Sequence, residues 1–106
     1  MEKYIVVEKS FNDGDSNKEQ HLFDTEEQAV AKFNEIKNFY KERLCGFSEE
    51  KSNSVLQDPY VRKTKSYFSI RSTEYNYDIY IAIRKKVLNN LVVSNIILTF
   101  AYELKQ

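Results

Sequence analysis

From Tyr77 to Arg84 the chain alternates without a break. Tyr77, Ile79, Ile81 and Ile83 fall on one parity, and Asp78, Tyr80, Ala82 and Arg84 on the other. Successive strand side chains point to opposite faces, so this pattern demands a strand with one apolar and one mixed face. Such a strand needs neighbours to pair with and a layer to cover its apolar side. Tyr67 to Ser72 repeats the pattern, with Phe68 and Ile70 set against Tyr67, Ser69 and Arg71. Leu88-Asn89-Asn90 then reads as a hairpin turn, because Asn accepts positive φ. Val92 to Leu104 reads as a last strand, apolar on both registers and therefore central or doubly covered.

The N-terminal third supplies more sheet. Lys3 to Lys9 contains Tyr4-Ile5-Val6-Val7, all good strand formers. The polar run Asn12 to Asn17 reads as a turn, and Lys18 to Phe23 as the returning strand of a hairpin.

The cover comes next in the chain. Ala29, Phe33, Ile36 and Tyr40 recur at three- and four-residue intervals and form one helical stripe, with Val30, Phe39 and Leu44 on its flanks. Asp24 with Glu27 fits a capping box at the start, and Gly46 suits a left-handed stop. The helix is therefore expected over about residues 25–45. Phe47 to Arg62 has no clear period; a short second helix over Glu49 to Gln57 is one expectation, and Asp58-Pro59 ends it. The whole reads as a single α+β domain over residues 1–106. Its plan is ββ-α-βββ, a two-layer, mostly antiparallel five-stranded sheet with one main helix packed on one face.

Chemistry is thinly equipped. Eight Tyr and seven Phe stand against one His, one Cys and two Gly, a kit for contact surfaces and not for reactive centres. No Gly-rich phosphate loop and no serine-nucleophile elbow occurs. His21 lacks a second His or a paired Cys to complete a metal quartet, so it reads as a half-buried or surface side chain. Cys45 follows the helix C-terminus, the wrong dipole end for a thiolate, and reads as a small buried hydrophobe. Asp13, Asp15, Asn17, Glu19 and Asp24 approach calcium-loop spacing, but Lys18 stands where Gly is needed and Asp24 where a bidentate Glu is needed. They read as an acidic hairpin. No cofactor and no metal are expected, and the chain is not expected to be an enzyme.

Charge points to a surface. Residues 1–59 carry 8 Lys/Arg against 13 Asp/Glu, and residues 60–106 carry 8 against 3. The basic clusters Arg62-Lys63-Thr64-Lys65 and Arg84-Lys85-Lys86 lie in the second part. Arg62, Lys63, Lys65, Tyr67, Arg71, Tyr80 and Arg84 are the expected partner-binding residues, because Tyr and Arg concentrate binding energy at interfaces. The expected partner is another protein, with self-association through the sheet a further option. A single-stranded nucleic-acid binder on the same face is the alternative; the zero net charge and the lack of an aromatic-Gly-aromatic signature disfavour it. A small His-independent ribonuclease using Arg71, Arg84 and a tyrosine is the weakest reading. No run is apolar and long enough for a membrane helix, and no signal peptide is evident. With the lone Cys45, a cytoplasmic setting is expected.

The hairpin followed by Phe23-Asp24-Thr25-Glu26-Glu27-Gln28-Ala29 and Phe33 looks like small proteins of bacteria, their phages and mobile elements. The resemblance covers about a third of the chain and names no specific family. It implies a non-catalytic binder, an inhibitor or adaptor.

Overall fold

The computed structural model describes residues 2–87. The expected Leu88-Asn89-Asn90 turn and the Val92 to Leu104 strand lie outside them. Within them run β1 (Glu2–Asn12), β2 (Asp15–Phe23), α1 (Glu26–Arg43), β3 (Tyr60–Lys63), β4 (Tyr67–Ser72) and β5 (Tyr77–Val87). The strands make a five-stranded sheet in the order β2-β1-β5-β4-β3, antiparallel at every junction, with α1 on one face. The α+β, ββ-α-βββ plan expected from the sequence is what forms. Its third strand is Tyr60–Lys63, from the stretch the sequence leaves without a clear period.

The β1–β2 turn is tighter than its polar sequence suggests. Asp13 and Gly14 alone occupy it, at φ +49° and +94°, the left-handed pair a two-residue hairpin needs. Asp15, Ser16 and Asn17, expected in the turn, are paired strand residues. Asp15, Asn17 and Glu19 are thus strung along one side of an extended strand and cannot wrap an ion as a calcium loop does.

The helix begins one residue later than its acidic signature implies. Thr25 is the N-cap: its hydroxyl accepts from the Gln28 amide at 3.2 Å, while the Gln28 side chain accepts from the Thr25 amide at 3.3 Å. Asp24 is taken instead by the Lys3 ammonium. Ala29, Phe33, Ile36 and Tyr40 are buried, as their spacing requires, and Leu44 joins them just past the helix. They close over Val6, Val61, Phe68, Ile70, Tyr77, Ile79 and Ile81 of the sheet. Cys45, expected to be buried, is exposed; Leu44 takes the inward place and Cys45 falls in the turn that follows.

The expected short helix over Glu49 to Gln57 does not form. Ser side chains divert its backbone: Ser48 Oγ accepts from the Glu50 amide and Ser54 Oγ from the Leu56 amide, both at 3.1 Å. Ser52 Oγ accepts from the Val61 amide at 2.8 Å, which ties this connection to β3. Phe47 stacks on Phe68 with ring centroids 5.3 Å apart and so covers the part of the sheet next to β4.

Candidate binding face

Antiparallel pairing lines residues up in rungs across the sheet, and alternate rungs share a face. The inner face, under α1, carries Val6, Glu8, Ile79, Ile81, Phe68, Ile70 and Val61. On the outer face one rung reads Tyr60, Arg71, Asp78, Phe11, Ser16 from β3 to β2. The next reads Arg62, Ser69, Tyr80, Lys9, Lys18. A third holds Tyr67, Ala82, Val7 and Gln20, and a fourth holds Arg84, Ile5 and Leu22.

The first two rungs bring together Arg62, Arg71 and Tyr80, with Tyr67 beside them; the Tyr67 and Tyr80 rings stack at 6.2 Å and 28°. The Arg71 guanidinium lies 5.3 Å from the Tyr60 ring centroid. Arg62 and Arg71 are exposed, and Tyr67 and Tyr80 are half-buried. Near β2 the surface dips into an open depression of about 410 Å³ lined by Lys9, Ser10, Phe11, Ser16, Asn17, Lys18, Asp78 and Tyr80.

Three expected site residues stand apart. Arg84 is exposed but lies four residues along β5 from Tyr80, about 13 Å at strand rise. Lys63 pairs with Phe68 and so belongs to the helix side, and Lys65 sits in the β3–β4 turn. Between the cluster and Arg84, Val7 and Ala82 are buried, as is Ile5 beside Arg84, all at 4–5% exposure, so the outer face offers little accessible surface there. Conversely, Lys9, Lys18, Phe11 and Tyr60 join the cluster without having been legible as site residues. Register alone carries them there: Lys9 and Lys18 belong to the acidic part of the sequence, and pairing sets them beside Tyr80.

A second constellation lies on the inner face. Glu8 on β1 pairs directly with Glu19 on β2, and His21 lies two residues along β2. One carboxylate oxygen of each Glu and one ring nitrogen of His21 fall within 4.8 Å of one another. Glu8 is buried, and the Tyr40 hydroxyl of α1 donates to its Oε2. Burial, together with that hydrogen bond, pushes the Tyr40 phenol up to about 12. His21 Nε2 lies 3.4 Å from Glu19 Oε2, yet it is sealed from solvent and makes no hydrogen bond. Lone-residue reasoning could not find this trio, because it arises from strand register.

Among the described residues, no helix is long and apolar enough to cross a membrane. Compared with family models, curated proteins and solved structures, the chain finds no match in any of the three.

Proposed function

We propose that this chain is a non-enzymatic binding module that docks another protein through the outer sheet face, at the rungs of Arg71 and Tyr80. The observation that carries the reading is the second rung: Arg62, Tyr80, Lys9 and Lys18 in one row, flanked by Tyr60, Arg71, Phe11 and Tyr67. Tyr and Arg offer large, nearly rigid contact area, and the surrounding cations select an acidic partner surface. Asp78 is the one carboxylate in these two rungs, so the patch is basic although the whole chain is neutral. A cytoplasmic inhibitor or adaptor of bacterial, phage or mobile-element origin fits this chemistry and the small size.

A second reading has its own support. The stacked Tyr67–Tyr80 pair next to the Lys9/Lys18 depression suits the bases and phosphates of a single strand.

The test is a charge reversal that spares the fold. Lys9→Glu meets Lys18 across the strand pair, and Arg62→Glu meets Ser69, so neither sets like charges directly opposite each other. The double variant is expected to lose capture of an acidic protein from bacterial lysate while its thermal melt stays near that of the parent. Capture that survives the double reversal removes this face from the proposal. A gel shift with mixed single-stranded oligonucleotides decides the second reading: no shift at micromolar protein and low salt ends it.

A further inference from the structure

We propose that Glu8, Glu19 and His21 form a binding site for a divalent transition ion of the Zn²⁺ class, built between β1 and β2 on the helix side of the sheet. Three observations converge. First, the donor set is complete for an open site: two carboxylate oxygens and one imidazole nitrogen lie within 4.8 Å of one another. Zinc sites with three protein ligands keep a fourth position for water, with bonds of about 2.0–2.2 Å. Tetrahedral donors are then about 3.4 Å apart, so the three side chains need draw in by at most about 1.4 Å.

Second, the site brings two carboxylates together with no Lys or Arg partner among the described residues. Glu8 is only 7% exposed, and Glu19 stands directly opposite it, a like-charge arrangement that disfavours the strand pair. Among the described residues no Lys or Arg pairs with either carboxylate. Third, His21 Nε2 is fully sequestered and has no hydrogen-bond partner, although it sits 3.4 Å from Glu19 Oε2. A buried ring nitrogen left unpaired is costly, and a metal ion would use its lone pair.

Tyr40 completes the arrangement from α1. Its hydroxyl holds Oε2 of Glu8, which orients the carboxylate as outer-shell partners do in metal sites. The imidazole favours a borderline ion such as Zn²⁺, Ni²⁺ or Co²⁺ over Mg²⁺ or Ca²⁺, which prefer all-oxygen shells.

The experiment uses the full chain after chelator treatment and dialysis. Titration with ZnCl₂ in a calorimeter should saturate at one ion per chain. Co²⁺ should give visible d–d bands that Zn²⁺ displaces. His21→Ala and Glu19→Gln should each weaken Zn²⁺ by more than about tenfold, and Tyr40→Phe by about tenfold, since loss of an outer-shell partner costs about 10–100-fold. These positions are half-exposed, exposed, or changed by one hydroxyl, so the variants are expected to fold; circular dichroism checks this. Absence of Zn²⁺ heat and Co²⁺ bands overturns the proposal. So does unchanged affinity in His21→Ala, which would mean the ion sits on surface carboxylates. Preference for Mg²⁺ or Ca²⁺ over Zn²⁺ overturns the assignment of ion class.

Discussion

The Tyr77 hydroxyl donates to the Cys45 carbonyl at 2.8 Å and fastens the end of α1 to the start of β5. The ring is buried, and burial, with the Asp58 carboxylate next in weight, pushes the phenol up to about 12 from an ordinary 10.0. That shift fixes the alkaline behaviour. The unfolded phenol ionises from 10.0 while the folded one keeps its proton to about 12, so the folded state binds more protons in that interval. Stability is therefore intact below pH 10 and falls as pH climbs towards 12. Tyr77→Phe is expected to cost about 0.5–1.5 kcal/mol at neutral pH through the lost hydrogen bond. It should also make the alkaline decline shallower, with Tyr40, raised likewise to about 12, and Lys85, raised by its hydrogen bond to Glu2, contributing to what remains. Urea denaturation across that range measures both effects; an alkaline limb as steep as the parent's would assign the loss to other groups.

Among the elements, the connection between α1 and β3 and the loop between β4 and β5 hold each other through one carboxylate. Asp58 Oδ2 accepts from the Thr73 amide at 3.1 Å, the Thr73 hydroxyl at 2.9 Å and the Glu74 amide at 2.9 Å. The Ser72 hydroxyl and the Glu74 amide, followed by Thr73, hold the Asp58 carboxyl below its ordinary 3.8. A depressed carboxylate stabilises the fold above the unfolded value and loses that effect as pH falls through the folded one. Asp58→Asn is thus expected to lower the melting temperature at neutral pH, with the gap to the parent closing at pH values under 3.8. A gap that persists in acid would show that shape, not charge, does the holding. These contacts also mark where the sequence stops being readable. β4, β5 and α1 are legible because burial imposes a period on them: two for Phe68/Ile70 and Ile79/Ile81, and three to four for Phe33/Ile36/Tyr40. β3 is four residues long and owes its strand state to pairing with β4, a partner that its own letters do not encode. The Asp13-Gly14 turn was present in the sequence as a dipeptide, but exposed Asp15, Ser16 and Asn17 carry no burial period and look like loop. The proposed binding face is half legible for the same reason. Arg62, Tyr67, Arg71 and Tyr80 lie close in sequence, whereas Lys9 and Lys18 reach them only through the β1–β5 and β1–β2 registers.

At the scale of the whole molecule, a chain of zero net charge presents a basic outer patch because strand register gathers cations on two neighbouring rungs. Glu8 and Glu19 go to the helix side, α1 balances its own charges, and Lys9, Lys18, Arg62 and Arg71 go to the outer face. Two of these four cations, Lys9 and Lys18, come from the acidic part of the sequence and reach the patch through strand register. Such a patch acts at short range: the screening length is about 8 Å at physiological salt. Arg84, about 13 Å along β5 from Tyr80, lies beyond it, with buried Ala82 between. This separates two pictures of binding. A localised contact at the Arg71 and Tyr80 rungs predicts that affinity for an acidic partner falls with added salt. Lys9→Glu with Arg62→Glu should then flatten that dependence, while Arg84→Glu leaves it near the parent's. A diffuse field predicts that all three substitutions weaken binding alike in proportion to charge. Association rates measured over a salt series discriminate the two, since long-range attraction acts mainly on the encounter. Equal loss from Arg84→Glu would refute the localised face and extend the contact along the sheet to Arg84.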